Sequence, residues 1–245
     1  DYEEMLADIC EEDRAAYARV LEAASRDVRT GSIDYRMNVA AAGEEPVYVW
    51  YRTIYRSIVG DNGQIIRIIG RSYDVSSDRR IQEELSEEAK RDPLTRLYIK
   101  VAASGEVERI LKSEPEKQHV LFLIDIDNFK QANDLHGHIF GDYCIREFVE
   151  RLKKFCREDD IIGRIGGDEF VVFGTISDEE GARRKAARLC QKLDTICEDS
   201  GSCWKMSVSV GIALAPQHGR SFAMLYEKAD KALYEAKKRG KNNCV

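Results

Sequence analysis

Apolar residues along this chain follow one rhythm up to about residue 90 and another beyond it. From Tyr2 to Arg29 they recur at helical spacing, with Met5, Leu6 and Ile9, then Tyr17, Val20, Leu21 and Ala24, on apolar faces. The run Glu11-Glu12-Asp13-Arg14 predicts an acidic break between two helices. After Gly31 come three β-rich runs, Ile33 to Val39, Pro46 to Val59 and Gln64 to Val75, parted by Gly43-Glu44-Glu45 and Gly60-Asp61-Asn62-Gly63. Asn-Gly in the second gap is a hairpin signal, so the expectation is an antiparallel meander buried on one face under the preceding helix. Ser76 to Arg91 is a charged helix whose narrow stripe, Ile81, Leu85 and Ala89, suits a two-stranded coiled coil; a solvated linker packed on its own domain is the competing reading.

Beyond Asp92-Pro93 the pattern becomes that of a mixed α+β or α/β domain. Leu94 to Ser113 reads as a helix, and Val120-Leu121-Phe122-Leu123-Ile124 as a strand buried on both faces. Phe129 to Leu135 starts a short helix, Gly137-His138 breaks it, and Ile139 to Arg157 continues as a longer one. Two apolar runs, Ile161-Ile162 and Phe170 to Phe173, flank Gly166-Gly167-Asp168-Glu169, which is how a hairpin reads when its tip carries acids. A helix over Glu179 to Glu198, a strand over Met206 to Ala213 and a helix over Ser221 to Arg239 complete an alternation that fits a ferredoxin-like βαββαβ core with additions.

Composition narrows the function. With 245 residues, 43% hydrophobic and 33% charged, the chain can build one large or two ordinary cores. A net charge of −6 argues against a general nucleic-acid binder, so a phosphate-bearing ligand needs a local basic cluster or cations. There is no membrane-length apolar run and no export signal at the start. The chain opens without methionine, which leaves open a longer parent with an anchor. Seven cysteines without a Cys-x-x-Cys pair favour reduced thiols in a cytoplasmic protein. No Walker-type phosphate loop is present.

Asp125 closes the apolar strand, and Asp168-Glu169 sits at the hairpin mouth. Such a fold sets these carboxylates side by side at strand ends, where ligands bind in α/β sheets. The helix starting at Phe129 and Lys130 points its first N–H groups at the same crevice and suits phosphate, while Gly166 and Gly167 let a bulky anion approach the backbone. Carboxylates converging beside a helix N-terminus suggest two-metal phosphoryl chemistry.

Asp125-Ile126-Asp127-x-Phe129-Lys130-x-x-Asn133-Asp134-x-x-Gly137-His138-x-x-Gly141-Asp142, then Gly166 to Phe170, then Ser209-Val210-Gly211-Ile212-Ala213, resembles the GGDEF domain of diguanylate cyclases over residues 92–245. That resemblance implies a palm-like nucleotide-cyclase fold that condenses two GTP into cyclic di-GMP and two pyrophosphate. It implies two Mg2+ (or Mn2+) ions per active site on Asp125, the carbonyl of Ile126, Asp168 and Glu169, with Asp168 and Glu169 catalytic and Asp168 the base. It assigns Asn133 and Asp142 to the guanine edge, His138 to the ribose or base, and Lys237 and Lys241 to the terminal phosphates, four apart on one helical face. His138 capping the Gly137 break, and lysines complementing a helix dipole, are the plainer alternatives. Arg157 and Asp160 match an Arg-x-x-Asp inhibitory site for the product, with Arg157 ending a helix and Asp160 accepting from the base or fixing the arginine.

Residues 1–76 resemble the C-terminal half of a PAS sensor domain, on Glu12-Asp13-Arg14, Pro46 to Trp50, Asp61 to Gln64 and Gly70 to Val75. No ligand is assigned to it, and residues 77–91 form the linker helix. The combination implies a homodimer through that helix and the PAS-like part. Arg96, Ile99 and Lys241 depart from the family pattern of glycine, asparagine and arginine. The alternatives are a catalytically silent module binding GTP or cyclic di-GMP, whose hallmark would be a lost acid at 125, 168 or 169, and an adenylate or mixed-nucleotide cyclase.

Overall fold

The computed structural model describes residues 2–41 and 43–245, in two compact units that divide between Ser86 and Glu87. In the first, α1 (Tyr2–Asp8) and α2 (Glu11–Arg26) precede a three-stranded antiparallel meander, β1 (Thr30–Asn38), β2 (Tyr48–Val59) and β3 (Ile65–Asp74). The expected meander is present, and α2 covers one of its faces. Tyr17 meets Tyr35 edge to face at 4.7 Å, and Ser57 donates to the carbonyl of Ala24. The helix break falls at Ile9-Cys10 rather than in the acidic run. Arg14 folds back to donate to the carbonyls of Ile9 and Ala7, satisfying the end of α1. Glu11, Glu12 and Asp13 thus form the first turn of α2, where acids complement the helix dipole. The helix α3 (Ser76–Ala89) leaves Ile81 and Leu85 exposed.

The second unit consists of β4 (Tyr98–Ile99), α4 (Lys100–Ser113), β5 (His119–Ile126), α5 (Phe129–His136), α6 (His138–Phe155), β6 (Ile161–Arg164), β7 (Glu169–Thr175), α7 (Glu179–Leu193), β8 (Thr195–Asp199), β9 (Ser202–Met206), β10 (Val208–Ala215) and α8 (Phe222–Lys238). Its main sheet runs β10-β5-β7-β6-β4. Counting the four core strands in chain order gives 4-1-3-2, the ferredoxin-like arrangement, with β4 added parallel to β6 at one edge.

All eight residues of β5 are buried, because both faces of the sheet are covered. Val120, Phe122, Ile124 and Ile126 enter one core with α6 and α7, while Leu121 and Leu123 enter the other with α4 and α8. Each such side chain contributes about 1.5–3 kcal/mol on burial. This explains the unbroken apolar run and fixes the height at which β5 emerges with its carboxylate.

Three expectations change. The helix expected from Leu94 begins only at Lys100, because the Asp92 carboxylate accepts from the Thr95 N–H and hydroxyl and closes a turn. Arg96 then takes a left-handed φ of 60°, which no helix continues, and Leu97 tucks into the core. The helix expected to reach Glu198 stops at Leu193, and β8 and β9 form a separate hairpin turned by Ser200 and Gly201, both at positive φ. The strand expected over Met206 to Ala213 is displaced to Val208–Ala215, since Met206 belongs to β9.

Gly211 sets how closely α8 lies on β10. A Cβ there would stand 2.0 Å from the Ala229 carbonyl and 2.5 Å from the Leu233 nitrogen, both backbone atoms. Gly211→Ala should destabilise the protein by about 1–3 kcal/mol or more, read as a lower midpoint in urea unfolding with unchanged slope. An unchanged midpoint would show that α8 is free to move off the sheet.

Candidate functional site

Backbone register brings the acids together. Asp125, next to last in β5, pairs directly with Glu169 at the start of β7 and with Ser209 on β10. The Ile126 N–H donates to the Asp168 carbonyl at 3.1 Å, which locks the hairpin tip against the end of β5. Asp125 is 7% exposed, whereas Asp168 and Glu169 are half-buried. Lys237, in the last turn of α8, places Nζ 2.7 Å from Asp125 Oδ2. Burial pushes the Asp125 carboxyl up to about 6; Lys237 opposes that rise, and the charges of Asp168 and Glu169 add to it. An ammonium already sits where negative charge has accumulated, so the donor set fits a cation. Among the described residues no three acidic, imidazole or thiol side chains close around one point. Coordination here would draw on one or two carboxylates, the Ile126 carbonyl and oxygens of a ligand, the usual provision for a small hard cation.

Arg164 holds the glycine tip from behind. It donates to the Gly167 carbonyl through Nε at 3.2 Å and a terminal nitrogen at 2.7 Å, while its other terminal nitrogen meets Asp92 at 3.0 Å. Asp127 is also structural: 2% exposed, it accepts from Ser207, Ser209 and the Asn242 N–H. Sequence reasoning gave no role to Asp92, Arg164 or Asp127. A buried carboxylate beside two serines cannot be read from spacing, because the serines lie about eighty residues away.

The α5–α6 pair supplies the second wall. Asn128 at φ 58° turns the chain into α5, whose opening N–H groups at Phe129 and Lys130 lack intrahelical acceptors by position. Phe129 is anchored edge to face on Trp204 of β9, at 6.4 Å, while Lys130 is exposed. Gly137, at φ 83°, breaks the helix. His138 and Asp142 are exposed in the first turns of α6, and no side chain caps that helix, so His138 does not serve as a cap. Asn133 lies against Gly141, where a Cβ would stand 1.9 Å from its Oδ1. The absent side chain at 141 is what sets the amide beside Asp142.

Two expectations about basic groups are corrected. Lys237 and Lys241 do not share a helical face, because α8 ends at Lys238 and Lys241 follows at φ 65°. Lys241 reaches the site by another route, donating to Asn128 Oδ1 at 2.5 Å. Arg157 lies in a loop beyond α6, which ends at Phe155, and the Asp160 side chain is 3% exposed. Asp160 accepts from the Arg157 N–H at 3.0 Å and from Lys185 at 2.8 Å, so it holds the loop and cannot itself reach a base. Beside that loop a cleft of about 990 Å³ is lined by Arg151, Lys154, Arg157, Arg184, Lys185 and Arg188. The signal for its α7 wall was in the sequence: Arg184, Arg188 and Lys192 recur every four residues.

Residues 89–243 match the family described as diguanylate cyclase, GGDEF domain. The chain is 31% identical over 192 residues to the cyclic di-GMP phosphodiesterase PdeR of Escherichia coli K12, covering 76% of this chain and 28% of that protein. It is 36% identical over 163 residues to the diguanylate cyclase DgcS of Shewanella oneidensis, covering 65% of this chain and 53% of that protein. The solved GGDEF domain of TpbB (YfiN) from Pseudomonas aeruginosa is similar at a TM-score of 0.60 and 33% identity, covering 62% of this chain and 91% of that one. The chain thus spans between about a quarter and a half of the length of these two curated relatives.

Asp125 titrates above its ordinary range in the folded chain, so the native state binds more protons than the unfolded state between about pH 4 and 6. Its contribution to stability therefore falls as pH rises through that window. In metal-free buffer with chelator, Asp125→Asn should melt above wild type at pH 7.5, and the gap should close by pH 4. Equal melting temperatures at pH 7.5 would contradict this burial argument.

Proposed function

Because the chain belongs to the diguanylate cyclase GGDEF family, we propose that it condenses two GTP into cyclic di-GMP and two pyrophosphate. The observation that carries this reading is the meeting of Asp125, Asp168 and Glu169 at adjacent strand ends under Lys237. Asp125, the Ile126 carbonyl, Asp168 and Glu169 would hold Mg2+ or Mn2+, which when bound supplies charge neutralisation for phosphoryl transfer. Asp168 stands as the base that takes the proton of the attacking 3′-hydroxyl. Glu169 keeps the negative charge that draws cations to this corner. Lys237, released from Asp125 on loading, and Lys241 neutralise the terminal phosphates. The opening N–H groups of α5 at Phe129 and Lys130 receive phosphate oxygens, and Gly166 and Gly167 leave room for them.

Asn133 and Asp142 pair with the guanine edge: the carboxylate accepts from N1–H and N2–H₂, and the amide donates. His138 faces the ribose. One such site binds one GTP, so two domains must face each other before either hydroxyl reaches the other α-phosphate. A homodimer joined through α3, with Ile81 and Leu85 as its seam, would supply that geometry, controlled by the PAS-like part. With no span in the described helices long and apolar enough to cross a membrane, a cytoplasmic location is the reading that goes with GTP as substrate. The relative PdeR is named a phosphodiesterase and not a cyclase, so the silent-module alternative is kept beside this reading. Retention of all three acids here favours catalysis.

The product would also inhibit. The basic cleft around Arg157 suits a bis-phosphate with guanine edges, and Arg184 and Arg188 extend it beyond the loop motif. It lies away from the acids, so inhibition acts at a distance and is non-competitive with GTP. Asp160 contributes by holding the loop.

Asp168→Ala should lower kcat roughly a thousandfold with an unchanged melting temperature. A folded variant that keeps most of its activity would remove Asp168 from the mechanism. Arg157→Ala should weaken inhibition by added cyclic di-GMP about ten- to a hundredfold. Inhibition that is undiminished, or that GTP fully relieves, would make the cleft irrelevant to control.

A further inference from the structure

Asn128 stands where a helix is normally capped, yet it does not cap. An asparagine just before a helix ordinarily has an extended backbone and accepts from the second or third helical N–H. Here Asn128 takes φ 58° and ψ 23°, in the left-handed region, and its side chain makes no hydrogen bond to α5. Its Oδ1 accepts instead from Lys241 Nζ at 2.5 Å. The first N–H groups of α5 are thereby left open, and an ammonium is drawn to the same mouth.

The lysine is delivered by a backbone held in an unfavoured shape. After α8 ends, Gly240, Lys241 and Asn242 follow at φ 108°, 65° and 48°, and the last two carry side chains that the left-handed region disfavours. Hydrogen bonds on both sides over-determine this turn. Asn242 donates its backbone N–H to Asp127 at 3.0 Å and its side-chain amide to Asp194 at 3.1 Å. Asn243 donates its side-chain amide to the carbonyls of Ala236 at 3.1 Å and Lys241 at 2.9 Å. Lys241 therefore reaches Asn128 from a fixed base. The amide that receives it is neutral and cancels no charge, whereas Lys237 is answered by the Asp125 carboxylate. Among the described residues Asn128 is the one partner of Lys241 Nζ, which leaves two of the three ammonium donors for a ligand.

We propose that Asn128 is a positioning residue for the terminal phosphates of the nucleotide: it holds Lys241 with a neutral acceptor and withholds its own amide from α5. An uncancelled ammonium and open helix N–H groups then meet the same polyanion. This rests on the cyclase reading. A carboxylate at 128 would hold the lysine harder, neutralise it and repel phosphate. A residue without an acceptor would leave the ammonium spread over the rotamers of a flexible four-carbon stem. A charge already in place avoids that ordering when the nucleotide binds.

The test titrates the full chain, in Mg2+ buffer, with GMP and with a GTP analogue whose α and β phosphorus atoms are joined by methylene, so that the proposed reaction cannot cleave it. Asn128→Gly keeps the left-handed backbone and removes only the acceptor. It should weaken the analogue by up to about fivefold, the scale of one exposed ionic contact, and leave GMP, which lacks the terminal phosphates, unmoved. Asn128→Asp should weaken the analogue further than Asn128→Gly does. Because Asn128 acts through the lysine, Asn128→Gly combined with Lys241→Met should bind the analogue no more weakly than Lys241→Met alone. Unchanged analogue binding in Asn128→Gly overturns the positioning role, as do losses that add in the double variant or an equal loss of GMP, which marks a purely structural residue. Wild-type protein that binds neither nucleotide overturns the cyclase reading and this role with it. Wild-type protein that binds the analogue no more tightly than Asn128→Gly does overturns the role alone.

Discussion

A carboxylate at the end of a strand with no exposed face must have its charge answered, and in this protein Lys237 answers it. Asp125 is carried out of two apolar cores by β5 into the company of Asp168 and Glu169. Burial pushes the Asp125 carboxyl up to about 6, and the neighbouring charges of Asp168 and Glu169 add to that rise. The 2.7 Å contact from α8 is the folded chain's own compensation. A cation arriving with a polyanionic nucleotide would replace it, freeing the ammonium for phosphate. In the proposed function the charge that steadies the resting fold would also serve substrate recognition.

The rest of the second unit sets the positions of these four side chains. Gly211 admits α8 onto β10, so that the last helical turn lands beside Asp125. The Asp92–Arg164 ion pair and the arginine's bonds to Gly167 fix the height of the hairpin tip. Asp127 ties the strand exit, the β9–β10 bend and the tail into one polar knot, its three hydrogen bonds coming from Ser207, Ser209 and Asn242. Gly141 plays the same part for Asn133 that Gly211 plays for Lys237: a missing side chain decides where a functional group lies.

Legibility in the sequence followed the range of the interactions. The β5 run, the Gly-Gly-Asp-Glu hairpin and the Gly137 break are local, so periodicity and turn chemistry reported them, and the order of the core strands followed. The turn at Asp92 was hidden because Leu94 and Leu97 keep helical spacing; the side-chain bond that closes the turn and the left-handed Arg96 leave no periodic trace. The β8–β9 hairpin was legible in Ser200-Gly201 between alternating runs but was masked by the strong stripe of α7. Lys241 was expected on the Lys237 face of α8, but spacing of four means one face only while the helix lasts, and the tail carries it to Asn128 instead. Asp160 shows the converse: a motif position whose side chain is used up inside the fold by Lys185 and the Arg157 backbone.

In the proposed function, charge gathered at the end of β5 serves the joining of two guanine nucleotides. The most direct measurement incubates the purified chain with GTP and Mg2+ and separates the products by chromatography, with pyrophosphate assayed alongside. Cyclic di-GMP is expected with two pyrophosphates for each molecule formed, and ATP is expected to stay unreacted. GTP left intact even at high protein concentration, or equal use of ATP, would contradict this function.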